Sequence, residues 1–332
     1  MVRRIVLLAG LAALAAGTLS PARGQTSLGG QRVATSSGSF LKIGLDARAA
    51  GLGGAYTALA EGPMAAFYNP ACLSGLRGAQ ASFAYARWPA EINIAGLSLA
   101  RPWGESGAAF GVSIEYLGTT LDETTEYHPT GTGRTFAYSD MLIGFTASRP
   151  FSDRLSFGGT VKFVREDLGS GIGGPVANSW MVDAGTLYRI GALDGRLAIA
   201  LLHFGPDIQP AGTFVSHLTG AETDYASFSP PTTFRLGLSL EPYRRGAHSL
   251  VSASEVVHVA DNAEAFRTGL EYTYETRYVA RAGFDGGADA AKFSAGLGVR
   301  LAMRGSETRI DYAYTDGGPL LAIHRWSVVV PL

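Results

Sequence analysis

Few residue patterns in this chain of 332 residues have the types and spacing of a chemical site. Gly169-Ser170-Gly171-Ile172-Gly173-Gly174 fits the G-x-G-x-x-G of a dinucleotide cradle. That chemistry needs a helix N-terminus facing the pyrophosphate, and Pro175 and a strand-like run follow instead, so the stretch reads as a flexible loop. Ser39-Phe40-Leu41-Lys42 fits S-x-x-K, but the S-D-N and K-T-G companions of that enzyme class are missing. The histidines (His128, His203, His217, His248, His258 and His324) have no metal-ligand spacing. Cys72 is the only thiol, and no neighbouring His or Lys would lower its pKa, so a small buried filler is expected. No catalytic residue, cofactor or metal site is expected, and the chain does not read as an enzyme.

The remaining candidates are charges on the polar faces of alternating segments. Glu115, Asp140, Glu166, Asp183, Glu255, Glu271 and Asp311 stand against Lys162, Arg189, Arg235, Arg267, Arg281, Arg300, Arg309 and Arg325. The two signs nearly balance, which argues against a strongly ion-selective field. An Arg or Lys facing lipid at the bilayer midplane costs roughly 2–4 kcal/mol. These side chains are therefore expected inside a lumen, paired with one another and with whatever backbone fills it.

The elements that would hold them alternate with period two. Ala108, Phe110, Val112, Ile114 and Tyr116 share one face; Ala109, Gly111, Ser113 and Glu115 share the other. The same alternation marks 154–167 and 291–303. Reading on gives about 14 strands, many of the roughly 10 residues that a tilted strand needs to cross a bilayer. They span 80–88, 91–101, 107–117, 135–149, 154–167, 179–190, 196–205, 232–241, 248–258, 265–275, 277–285, 291–303, 307–315 and 322–331. Short joints alternate with joints that include the long ones, 118–134, 169–178 and 205–231. That parity belongs to an antiparallel membrane barrel with short periplasmic turns and longer outside loops. Trp88, Trp103, Tyr116, Tyr138, Trp180, Tyr188, Tyr243, Tyr274, Tyr312, Tyr314 and Trp326 are candidates for its interfacial girdles. The fold class expected is all-β, a transmembrane antiparallel β-barrel.

Composition agrees. Charged residues make up 17% and glycine counts 44, against about 25% charge and about 7% glycine in average domains. The net charge of −1 lacks the basic footprint of a nucleic-acid binder. Arg3-Arg4, the apolar run from Ile5 to Leu19 and Ala22-Arg23-Gly24 have the form of a cleaved signal peptide over 1–24. The run is about 15 residues, short of the roughly 20 of a spanning helix. Residues 25–78 read as a linker and hatch, and 79–332 as the barrel.

Phe40–Gly75 does not alternate, is rich in Gly and Ala, and precedes the first strand. A barrel this wide is not filled by its own wall side chains, so this segment is expected to plug it. Gly51, Gly53 and Gly54 permit tight turns and close approach to the wall. Asn69 can cap or turn the chain, and Pro70 disfavours helix at Asn69; a ligand role for Asn69 is the weaker alternative.

The block Phe40-Leu41-Lys42-Ile43-Gly44, Ala47-Arg48-Ala49-Ala50-Gly51-Leu52-Gly53-Gly54-Ala55-Tyr56-Thr57-Ala58 and Tyr68-Asn69-Pro70-Ala71 resembles the N-terminal signature of the PorV/PorQ family. Gly269-Leu270-Glu271-Tyr272, Arg281-Ala282-Gly283-Phe284, Ala295-Gly296-Leu297-Gly298 and Asp311-Tyr312-Ala313-Tyr314 resemble it towards the C-terminus. Cys72 stands where the family usually has Gly. The resemblance implies an outer-membrane barrel with an internal hatch, related to the FadL fatty-acid transporters. It implies a scaffold or shuttle that meets exported proteins or parts of a type IX-like secretion apparatus. The alternative is a FadL-like transporter of a hydrophobic small molecule, with an apolar pocket between hatch and wall and a laterally opening kink at Gly158–Gly159 or at Gly296 and Gly298. The aromatic residues of 205–231 lean towards a protein-contact surface. Outer-membrane lipid is the expected partner under either reading.

Overall fold

A computed structural model of the chain describes residues 35–216, 220–288, 292–303, 306–318 and 322–332. The signal-peptide segment 1–24 and His217 lie outside the described residues. Sixteen strands follow one another: β1 Gln80–Arg87, β2 Asn93–Trp103, β3 Ala108–Asp122, β4 Thr135–Pro150, β5 Leu155–Asp167, β6 Val176–Arg189, β7 Arg196–Phe204, β8 Thr213–Val215, β9 Glu222–Asp224, β10 Thr233–Arg245, β11 His248–Val259, β12 Ala265–Tyr274, β13 Tyr278–Asp285, β14 Phe293–Met303, β15 Ser306–Thr315 and β16 Ile323–Pro331. All but β8 and β9 join into a closed antiparallel barrel of 14 strands. The ring closes where β1 pairs with β16, from Gln80 opposite Pro331 to Arg87 opposite His324. Closure leaves no edge strand, which is how a sheet can sit in lipid with every backbone polar group paired.

Alternation sorts the side chains. On β3, Phe110, Val112, Ile114 and Tyr116 are exposed on the outer face, while Ala109, Ser113 and Glu115 are buried inside. The aromatic residues expected at the membrane boundary mostly face out, Trp103, Trp180 and Trp326 among them. Two do not. Tyr138 shares the inward face of β4 with Asp140 and donates to it at 3.0 Å, and Trp88 lies under the Arg325 guanidinium.

The 14 barrel strands match those expected in number and order; β6 starts three residues earlier and β10 ends four residues later than expected, and two differences are larger. β3 runs on to Asp122, because Gly118–Asp122 pairs with Thr135–Ser139 of β4. The 205–231 connection also contains a small hairpin, β8 with β9. Two register shifts interrupt the wall, one at Val182/Ala184 between β6 and β7, the other at Leu240/Tyr243 between β10 and β11. Gly158, Gly159, Gly296 and Gly298, where a kink could have been supplied, lie in uninterrupted pairing, and neither register shift falls at them.

Among the described residues before β1 are short 3-10 turns and one helix, α1 (Ala47–Gly51). Asp46 caps α1 by accepting from Arg48 N at 3.0 Å. Hydrogen bonds of this segment reach inward-facing groups on β2, β4, β5, β6, β11, β12, β14, β15 and β16, which puts it within the ring. Its Leu52, Tyr56, Met64 and Leu73 are fully buried there.

Candidate functional site

Glycines in the wall let this segment come so close. A Cβ at Gly158 would collide with the backbone of Pro70 and Ala71, one at Gly185 with Asn69, and one at Gly283 with Leu52 and Gly53. Gly53 (φ +67°) and Gly54 (φ +82°) make the left-handed turn that lays the chain against β13. Gly51 packs against Gly296. Asn69 holds the segment together and to the wall. Its Oδ1 accepts from Ala71 N at 3.1 Å, and its Nδ2 donates to Thr57 O and Thr186 O. Pro70 follows as the first residue of the 3-10 turn Pro70–Gly75.

Charge fastens the same contact. Arg48 donates from Nε and Nη2 to the two oxygens of Glu271 at 2.7 and 2.8 Å. Arg281 bridges Glu271 (2.6 Å) and Asp311 (2.7 Å). Arg309 bonds Asp311 at 2.7 Å and also Glu61, which returns to Arg48 at 2.5 Å. The six side chains form a closed ring of alternating sign, three guanidiniums and three carboxylates, two of them from the inner segment. Burial would raise the Glu61 carboxyl, but Arg48 and Arg309 hold it down at about 2. Other carboxylates take backbone N–H groups: Glu255 those of Tyr56 and Thr57, and Glu166 that of Gly38.

Of the lumen charges expected, Glu115, Asp183, Arg235, Glu271, Arg281 and Asp311 are buried inside. Asp183 pairs with Lys162 at 2.6 Å, and Lys162 also meets His203 Nδ1 at 3.2 Å. Glu115 has no hydrogen-bond partner at Oε1. Arg300 faces in near the strand end, partly exposed and 3.8 Å from Glu307. Arg189, on the inward face of β6, is exposed at its last position. Cys72 is buried, and burial pushes its thiol up to about 12.

Between the inner segment and β10–β16 lies a cavity of about 440 Å³. It sits towards the ends of these strands that carry the longer loops, the outside face of such barrels. Ile43, Ala49, Ala50, Trp88, Val257 and Ile323 supply apolar lining, and Lys42, Arg235, Arg267 and Arg325 supply cations. Lys42 is taken by Asp261 at 2.8 Å and Arg267 by Asp285 at 2.9 Å. Arg325 has only neutral partners, Gly44 O and Thr315 Oγ1 at 2.9 Å, with Trp88 beneath it. Arg235 lies over Tyr68, 3.8 Å from Glu255, with Nε and Nη1 unbonded. Arg325, with no carboxylate partner among the described residues, and Arg235, with only the long contact to Glu255, can therefore meet a guest that is apolar along its body and an acceptor at one end. No group of His, Cys, Asp and Glu among the described residues could hold a metal ion.

No protein family and no curated protein matches the chain. Solved structures do. A Pseudomonas aeruginosa FadL homologue aligns with a TM-score of 0.57 at 14% identity, over 86% of this chain and 98% of that one. The fold is FadL-like. The Ralstonia pickettii toluene transporter TbuX gives 0.55 at 16% identity, over 86% and 97%. The Pseudomonas putida toluene transporter TodX gives 0.53 at 15%, over 85% and 95%. A closed FadL-like barrel with an apolar outer face is a protein of the outer membrane.

Reading residues in order missed Arg48 and Glu61 as members of the charge ring. Both sit in the segment without alternation, where no pattern says which way a side chain points. A lone Arg within an Ala- and Gly-rich run was the one signal present.

Proposed function

We propose that this chain passes a hydrophobic small molecule across the outer membrane. Residues 25–78 act as linker and plug, 79–332 as the barrel, and 1–24 as the signal that sends the chain there. The chain is then a non-enzymatic carrier. The observation that carries this reading is the cavity between plug and wall, apolar for most of its lining and ending on Arg235 and Arg325. A guest with a hydrophobic body and a polar or anionic end fits it. Proteins of similar fold, toluene transporters among them, favour the same reading. A way out through the wall is best sought at the β6–β7 register shift, where His203 takes φ +60°.

The PorV/PorQ resemblance, and with it a scaffold for exported proteins, rests on the sequence blocks alone, and the comparisons favour transport over it. Uptake decides. A deletion strain is given labelled hydrophobic compounds, from monoaromatic hydrocarbons to long-chain amphiphiles. Loss of uptake of one class, restored by the wild type but not by Ala263→Trp, which fills the cavity, is the expected result. Unchanged uptake, with secretion proteins cross-linked to the barrel in the same membranes, would replace transport with the scaffold.

A further inference from the structure

Transport through the lumen makes no use of a patch on the outer wall. At the outside ends of three neighbouring strands, Arg87 of β1, His324 of β16 and Tyr314 of β15 lie side by side, and Asn93 of β2 is opposite Arg87. One layer down come Tyr85, Trp326 and Tyr312, and below them Phe83, Val328 and Ile310. All face out, since Ala84, Ala86, Arg325, Ser327, Asp311 and Ala313 between them are buried. The aromatic members brace one another. His324 stacks on Trp326 at 6.0 Å and 21°, and its Nδ1 is 2.7 Å from Tyr312 Oη. Tyr85 leans over Trp326 at 6.0 Å and donates to Asn93 Oδ1 at 2.6 Å.

Arg87 is exposed and makes no side-chain hydrogen bond or ion pair among the described residues, not even with Glu91 in the adjoining loop. At a strand end near the membrane interface an exposed guanidinium costs little, about 0–1 kcal/mol, and is free to meet an anion there. Planar guanidinium suits phosphate oxygens, which it can grip with two N–H groups. Aromatic rings suit the C–H groups of a sugar ring, and the aliphatic layer suits acyl chains. Cation, ring and aliphatic surface thus follow one another in the order found in a single kind of molecule.

We propose that this patch binds a phosphorylated glycolipid of the outer leaflet. Its phosphate sits on Arg87, a sugar ring on Trp326, and its chains run down over Phe83, Val328 and Ile310. The site depends on the barrel lying in the outer membrane and is independent of what crosses the lumen.

The intact protein, placed in phosphatidylcholine nanodiscs doped with lipid A, is examined by native mass spectrometry for bound glycolipid. Dephosphorylated lipid A and phosphatidylglycerol are run alongside, with the variants Arg87→Gln and Trp326→Leu. The wild type is expected to retain lipid A. Losing one cation near the surface should weaken retention by about fivefold in Arg87→Gln. Dephosphorylated lipid A on the wild type should be retained as poorly as lipid A on Arg87→Gln, a comparison that needs no variant to fold. Trp326→Leu should also retain less. Equal retention by wild type and Arg87→Gln, equal retention of the dephosphorylated lipid, or phosphatidylglycerol held as tightly as lipid A would overturn the proposal.

Discussion

Arg281 is enclosed on all sides, between Glu271 and Asp311. Removing it would leave Glu271 to Arg48 alone and Asp311 to Arg309 alone, each carboxylate one buried partner short, at a cost below the about 3–5 kcal/mol of leaving a buried charge with no partner. Arg281→Leu is therefore expected to unfold at a clearly lower temperature in detergent, followed by loss of the barrel's heat-modifiable gel mobility. Glu61 carries a pH signature. Its folded pKa of about 2 lies below the ordinary 4.5, so its contribution is complete above about 4.5 and fades as pH falls towards 2. Because 43% of its side chain still meets solvent, the effect is modest. Across that window, protease nicking of residues 36–75 should rise more in the wild type than in Glu61→Gln, which has already lost the charge. Parallel curves would refute the role given to Glu61. At this scale alternation told which way Glu271, Arg281 and Asp311 point. Their pairing was beyond it, because pairing depends on register across strands.

Strands were readable wherever inside and outside differ sharply in polarity, as on β3 and β14. The reading stopped short at Gly118–Asp122, where polar residues on both faces look like loop although the hairpin with β4 continues. Glycine was the harder residue to read. Gly158 and Gly296 suggested a bend in the wall, but each makes room for the backbone of the inner segment, and that segment's position is a tertiary fact. Gly283→Ala should then act on the plug and leave the sheet pairing intact. Overpacking of this kind costs about 1–3 kcal/mol, and residues near Leu52 and Gly53 should lose hydrogen-exchange protection while β13 keeps its own. Gly104, with open space around it and a φ of +63° that Asn tolerates better than other side chains, is the control: Gly104→Asn should leave protection near Leu52 and Gly53 unchanged. Equal loss at both sites would contradict the packing argument.

At the scale of the whole molecule, one continuous wall separates lipid outside from ionic side chains inside, and the described residues ahead of β1 pack against its inner face. The parity of short and long joints was enough to expect a closed ring. The cavity could not be foreseen, since Lys42, Trp88, Arg235 and Arg325 come from four distant parts of the sequence. If residues 36–75 plug the lumen as proposed, held by a ring of six charges and by backbone-to-backbone contact, the barrel should not conduct ions, even while apolar molecules pass. Conductance of the intact protein in a planar bilayer tests this most directly. The expected record stays at the baseline of the protein-free membrane at neutral pH, with steps appearing only when Arg48 and Arg281 are both replaced by Leu. Steady open-channel steps from the wild type would contradict a plugged barrel.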